Sequence, residues 1–335
     1  KSSELSLIRA FASGAGFTHS ESSIQSIWKG VWLRMSTFKI KAVSSLLESQ
    51  PLDSKNYQKS RRLINLLGYL PLPRKMISRP VDIDGVPGEM IHHKDRSYQR
   101  YFIYLHGGAF VTGGIASHRR LVAEIAKAGY SQGLLVDYRL APEHPYPAAL
   151  EDADKAYKWL LNQGIDPKDI AFAGDSAGGG LALALIQKLK AEDRPLPAFL
   201  ALICPWLDLT CTSPAMESNH GRHAVLTKED LLRFAGMYAG NLELSDPKLS
   251  PLFGDLTGLP RLLIQAGGKD PLRDDATRLL EAMDVLRKDE ILEMWPDMFH
   301  DWHLFSMLLR DGDWALRRVG QAIRVYTARG KQIEN

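Results

Sequence analysis

Five residues, Gly174-Asp175-Ser176-Ala177-Gly178, constrain this 335-residue chain more than any other stretch. They follow the apolar run Ile170-Ala171-Phe172-Ala173 and precede a second one carrying Leu181, Leu183, Leu185, Ile186 and Leu189. The first run reads as a buried strand and the longer one as a buried helix. The chain must therefore turn sharply from strand into helix, and glycines on either side of the turn let the two backbones approach closely. A serine at the apex stands clear of the backbone at a helix N-terminus. There the Ala177 N–H and the positive helix end face any developing negative charge. Ser176 is thus the candidate nucleophile. The plainer reading is a glycine-rich turn with an incidental serine. A phosphate loop fits less well, because no Gly-Lys-Ser/Thr follows.

The texture around this turn agrees with it. From about residue 80, short apolar runs alternate with helical patterns. Strands are expected at 101–105, 133–137, 170–173, 199–203, 261–265 and 291–295, and helices at 118–128, 148–162, 177–190 and 274–287. Such alternation predicts an α/β architecture, a mostly parallel sheet covered by helices on both faces, with chemistry at the carboxyl ends of the strands. Residues 1–70 lack strand character. Ile24, Ile27, Trp28, Val31 and Trp32 recur at helical spacing, as do Leu63, Ile64, Leu66 and Leu67, before Pro71 and Pro73 close the segment. Residues 207–250 also interrupt the alternation. There Thr227-Lys228-Glu229-Asp230 resembles a capping box ahead of Leu231, Leu232, Phe234, Ala235 and Tyr238. The expected organisation is a catalytic core of 71–206 and 251–335, an inserted helical pair at 207–250, and N-terminal helices in 1–70 that join the insertion as a cap.

Composition narrows the function classes. Hydrophobic residues make up 45% and charged residues 24%, enough apolar content for a full core. The formal charge is +3, with both signs interleaved, which argues against a nucleic-acid partner. Cys204 and Cys211 are the only cysteines, too few for a disulfide framework and not beside any metal-ligand spacing; a buried free thiol in a reducing compartment is expected. No run approaches 18 apolar residues, so no membrane span is expected. A cytoplasmic location fits, although the chain begins at Lys1 and a leader removed upstream stays compatible with it.

A second motif, His106-Gly107-Gly108-Ala109-Phe110, follows the strand at 101–105. Glycines there leave backbone N–H groups open to a substrate oxygen. Gly107, Gly108 and Ala109 would join Ala177 as donors to an oxyanion. His106 sits at a strand end, where bracing the loop is the favoured role.

With both motifs in place, the chain resembles the hormone-sensitive-lipase-like esterases, in the bacterial branch, of the α/β-hydrolase superfamily. The resemblance also rests on Asp137-Tyr138-Arg139-Leu140-Ala141-Pro142-Glu143-His144-Pro145-Tyr146-Pro147-Ala148, Pro205-Trp206-Leu207-Asp208-Leu209 and Asp270-Pro271-Leu272, and spans roughly 80–310. It implies hydrolysis of carboxylic esters without metal or cofactor, a helical cap, and pairing of relatives into homodimers through edge strands. One departure is Ala109, where the family pattern has a third glycine. Its methyl group is expected to narrow the alcohol site.

In this fold the triad order is serine, acid, histidine. Asp270 follows the strand at 261–265 and is the expected acid; Asp274 and Asp275 are rivals that fall in the next helix's first turn. His300, on the loop after 291–295, matches the family's base position, and His303 is the rival one helical step on. Asp175 reads equally well as an orienter of the turn or as a solvated acid. Glu143 and Asp152 read as structural ion pairs. Trp206, Phe110, Trp28 and Trp32 read as pocket walls or as ordinary core. The expected function is a carboxylesterase for short- to medium-chain acyl esters, working through an acyl-enzyme on a small-molecule ester. An amidase or metabolite deacetylase on the same residues is the alternative, and a catalytically silent small-molecule receptor the remote one.

Overall fold

Two strands absent from the sequence expectation, Met76–Ile83 (β1) and Val86–His93 (β2), begin an eight-stranded sheet. They pair as an antiparallel hairpin across Asp84-Gly85, both residues having positive φ, the two-residue turn that suits the twist of paired strands. A computed structural model describes residues 39–45, 52–218, 226–283 and 291–327 of the chain, and Val43–Asn335 form the compact unit that carries the sheet.

The remaining strands are Tyr101–Leu105 (β3), Gln132–Val136 (β4), Ile170–Asp175 (β5), Phe199–Ile203 (β6), Arg261–Gly267 (β7) and Ile291–Trp295 (β8). These match the six expected runs to within two residues at either end. The sheet order is β1-β2-β4-β3-β5-β6-β7-β8. All pairings from β4 to β8 are parallel, and β2 joins β4 antiparallel. Every residue of β5 and β6 is buried, as expected for strands covered on both faces.

Helices among the described residues include Tyr57–Asn65 (α1), Ile115–Gly129 (α2), Ala148–Asn162 (α3), Ala177–Ala191 (α4), Pro214–Ser218 (α5), Lys228–Ala239 (α6), Arg273–Ala282 (α7) and Arg310–Tyr326 (α8). α5 and α6 fall within residues 207–250. Thr227 caps α6: its hydroxyl accepts the Asp230 N–H at 3.1 Å and donates to the Asp230 carboxylate at 2.6 Å. The N-cap half of a capping box is thus present, while Asp230 accepts the Thr227 hydroxyl where the Glu or Gln of a full box would accept the N-cap backbone N–H. The same carboxylate accepts the Ser54 hydroxyl at 2.5 Å, which ties the segment ahead of α1 to the insertion. Leu63 and Ile64 lie in α1, and a 3-10 turn, Leu66–Tyr69, ends the segment before Pro71. The helical pattern containing Trp28 and Trp32 lies outside the described residues. Among the described residues, no helix is long and apolar enough to cross a membrane.

Candidate active site

β5 delivers Asp175 and Ser176 to the carboxyl edge of the sheet. Ser176 has φ +50°, outside the ordinary range for a side-chain-bearing residue, and α4 begins at the next residue. Sheet and helix together hold this strained conformation: the Ser176 N–H donates to Ile203 O at 2.9 Å, and Ser176 O accepts from Trp206 N at 3.0 Å. Glycine is required at 178, because a methyl there would collide with the carbonyl oxygens of Leu105 and His106.

The loop after β3 lies beside this turn. Here one expectation is corrected. The Gly107 N–H donates to Asp175 Oδ1 at 3.0 Å, so it is spent inside the protein and does not face a substrate oxygen. Asp175 fills the space beside it so closely that any side chain at 107 would overlap the carboxylate. Among the described residues, the N–H groups of Gly108, Ala109 and Ala177 have no protein acceptor. Asp175 is an orienting residue rather than a solvated acid. It is 1% exposed and also accepts the Tyr104 hydroxyl at 2.7 Å and contacts His118 Nε2 at 3.1 Å. Burial opposes its charge, but His118 and the Tyr104 hydroxyl outweigh that and bring the carboxyl down to about 2. His118 is moved in the complementary direction: burial lowers it, and Asp175 more than compensates and raises it.

His106 braces the loop as expected. Its ring stacks on Tyr138 at 4.1 Å between centroids, and Nδ1 contacts Gly107 O at 2.8 Å. Burial, then the charge of His118, push it down to about 3, which keeps it neutral.

Ser176, His300 and Asp270 come together across 124 and 30 residues of sequence. His300 Nε2 lies 3.0 Å from Ser176 Oγ, and His300 Nδ1 lies 2.9 Å from Asp270 Oδ2. Asp270 is fully buried after β7, and its other oxygen accepts the Leu272 N–H at 2.8 Å, which fixes the carboxylate plane. With Asp270 accepting the Nδ1–H, Nε2 is left as the acceptor of the serine proton. Burial pushes His300 down, but Asp270 and Asp301 together hold it well above the ordinary histidine value.

The rival residues have other tasks. Asp274 accepts the Ala215 N–H at 2.6 Å, and Asp275 accepts the N–H groups of Leu207 and Asp208 at 2.8 and 3.0 Å. His303 is fully buried with Nε2 on Gln265 Oε1 at 2.9 Å, and burial brings it down to about 3. Glu143 pairs with Arg61 at 2.7 Å and Asp152 with Arg139 at 2.8 Å, as structural ion pairs. Trp206 and Phe110 are core residues, the latter stacked on Tyr238 at 3.7 Å.

A cavity of about 320 Å³ opens on Ser176 and His300, with apolar walls from Leu52, Leu63, Leu67, Leu226, Leu231 and Phe305. Both the segment before β1 and the insertion contribute to it. A larger and more open depression, about 610 Å³, includes Arg61, Arg119 and Asp137 but none of these three residues. Its guanidinium groups are taken by Glu143 and Glu89, so we place the chemistry in the smaller one.

Three residues near the site were not singled out from the sequence: His118, Tyr104 and Asp301. Asp301 carried one signal, an acid directly following a candidate base. Cys204 also lies closer to the site than its spacing suggested, since the sheet brings its sulfur within 4.8 Å of donor atoms on Asp270 and His300, and in a second grouping on Asp301 and His303.

Residues 102–304 match the family model described as the α/β-hydrolase fold. The chain is 42% identical to an acetyl-hydrolase of Streptomyces hygroscopicus over 231 residues, covering 69% of this chain and 77% of that protein. It is 38% identical to an esterase of Acinetobacter venetianus, over 72% of this chain and 80% of the relative. A crystal structure of an esterase from the bacterial hormone-sensitive lipase family superposes with a TM-score of 0.81 at 36% identity, covering 88% of this chain and 98% of that one.

Proposed function

This chain belongs to the hormone-sensitive-lipase-like esterases of the α/β-hydrolase fold, and from that premise we propose that its ester hydrolysis runs through Ser176, His300 and Asp270. The observation that carries the proposal is the position of His300, whose two ring nitrogens reach Ser176 Oγ at 3.0 Å and Asp270 at 2.9 Å. His300 takes the Ser176 proton as Oγ attacks the ester carbonyl, and then gives that proton to the departing alcohol. Water, activated by the same imidazole, releases the acid from the acyl-enzyme. The N–H groups of Gly108, Ala109 and Ala177 receive the oxyanion.

Residues 52–69 and, within 207–250, the part that carries Leu226 and Leu231 act as the cap. Their leucines close an apolar cavity of about 320 Å³, which suits short- to medium-chain acyl groups better than long ones.

The test is turnover of p-nitrophenyl esters of increasing acyl length by wild type, Ser176→Ala, His300→Ala and His303→Ala, with matched amides alongside. Loss of activity in the first two variants, retention in the third and a preference for short acyl esters are expected. Activity lost in His303→Ala but kept in His300→Ala would overturn the assignment of the base. Faster turnover of amides than of matched esters would favour an amidase.

A further inference from the structure

The proposed reaction uses one carboxylate on His300, whereas the structure holds two. Asp301 follows His300 directly and has φ +50°, a left-handed conformation that aspartate adopts more readily than most side-chain-bearing residues. That conformation folds its carboxylate back onto the preceding ring. Asp301 Oδ2 lies 3.1 Å from His300 Nε2, the same nitrogen that faces Ser176 Oγ. Asp270 serves the opposite nitrogen, so the imidazole is flanked by an acid on each side. Asp301 lines the cavity beside Ser176, and its Oδ1 is buried without a partner among the described residues.

The other charged and titratable neighbours do not cancel this contact. Asp175 and Asp270 act on Asp301 as like charges, and Asp175 is itself engaged by His118. The Tyr104 hydroxyl and Cys204 thiol are buried groups raised well above their ordinary values, and His303 is held neutral. Two histidines feel Asp301's charge: His118, which it raises alongside Asp175, and His300, which it meets at the reacting nitrogen.

Resting on the assignment of His300 as base, we propose that Asp301 is a positioning residue that acts as a second counter-ion at Nε2 and sets the pH at which His300 can accept the Ser176 proton. The proton still travels from Ser176 Oγ to His300 Nε2 and on to the leaving alkoxide; Asp301 does not receive it. Its ionised carboxylate stabilises the imidazolium formed during attack. The same stabilisation keeps His300 protonated, and so unable to act as a base, to a higher pH. Burial pushes Asp301 up to about 6 even with His300 beside it, so its charge develops in the range where the imidazole matters.

The experiment is the pH profile of kcat/KM for wild type and Asp301→Asn from about pH 5 to about pH 9, with His300 titrated by NMR in a Ser176→Ala background. Asparagine removes the charge and suits the left-handed backbone. An opposite charge at this distance moves a titration by about one unit or more. The acid limb and the His300 titration should both move down by about one unit, while plateau kcat falls roughly ten-fold and KM stays within about two-fold. A folded variant whose limb and NMR titration both stay in place would overturn the proposal, whatever happens to kcat. If Asp301→Asn does not fold, Asp301→Gly, which also suits the backbone, carries the same comparison. An active His300→Ala removes the base assignment and this proposal with it. An inactive His300→Ala with an unmoved limb in the Asp301 variants removes this proposal alone.

Discussion

The Asp175 carboxylate, on the strand that ends in Ser176, accepts the N–H of Gly107 in the neighbouring loop at 3.0 Å. One side chain therefore sets the relative position of the serine turn and the loop whose next two residues, Gly108 and Ala109, line the cavity. Tyr104 and His118 hold that carboxylate in turn, at 2.7 and 3.1 Å.

Asp175→Ala should cost about 10²-fold in kcat with little change in KM, because the oxyanion donors lose their alignment while the apolar cavity remains. It should also lower stability by about 3–5 kcal/mol, since it leaves His118, Tyr104 and Gly107 without their buried partner. The pH dependence has two edges. Asp175 lies below its unfolded value, so its contribution is present above about pH 4 and is lost as pH falls toward about 2. His118 is raised, so its contribution is present below about pH 6.5 and is lost as pH rises through the folded value. Urea unfolding across pH should show both edges in wild type and neither in the variant. A variant with full kcat would show that the loop keeps its place without Asp175.

The sequence exposed the parallel part of the sheet and the three residues of the proposed triad for a physical reason. Strands buried on both faces must be continuous apolar runs, and a serine at a strand-to-helix turn needs small neighbours. The β1–β2 hairpin escaped because β1, with Arg79, Pro80 and Asp82, buries only its ends, Met76 and Ile83, and shows no alternation. The Asp84-Gly85 turn was the available signal. Gly107 was read as a donor because sequence shows that an N–H exists and not what accepts it. His118 and Tyr104 lie 57 and 71 residues before Asp175, so their convergence on it follows from strand order, which local pattern does not encode.

Ala109 keeps φ +54°, a conformation that glycine adopts without penalty. Ala109 lines the cavity, and its N–H is one of the three proposed oxyanion donors. Ala109→Gly should relieve about 1 kcal/mol of local strain, partly offset by the greater freedom of the unfolded chain. More tellingly, it should raise kcat/KM for esters of bulky alcohols relative to small ones. Unchanged relative rates on a paired alcohol series would remove Ala109 as a selectivity element.

Asp275 offers a stability test remote from the reaction. Burial drives its carboxyl up to about 7, despite two backbone N–H donors at 207 and 208. The folded state then keeps a proton that the unfolded chain has already released near pH 4. Stability from this group must therefore fall as pH rises from about 4 to about 7. Asp275→Asn retains an acceptor for the two N–H groups without the charge. Its unfolding free energy should vary less with pH across that window than that of wild type, as measured by denaturant titration at several pH values. Identical pH slopes would mean that Arg278, 3.5 Å away, keeps Asp275 ionised throughout.

Cys204 presents the opposite expectation to its location. A thiol close to His300 and Asp270 invites comparison with an activated nucleophile, yet activation requires a stabilised thiolate and an open path to it. Burial pushes Cys204 well above the ordinary thiol value, and nearby Asp270 adds to that. Burial, with Asp275 and Asp208, brings Cys211 up to about 12. Both side chains are at most 2% exposed. Iodoacetamide at about pH 8 should therefore leave the native protein unlabelled and fully active, and label both cysteines once the chain is unfolded. A serine-directed organophosphonate should abolish activity under the same native conditions, with the mass added at Ser176. Native alkylation of Cys204 with matching loss of turnover would show instead that the thiol is reachable from the cavity and that the packing around His300 opens in solution.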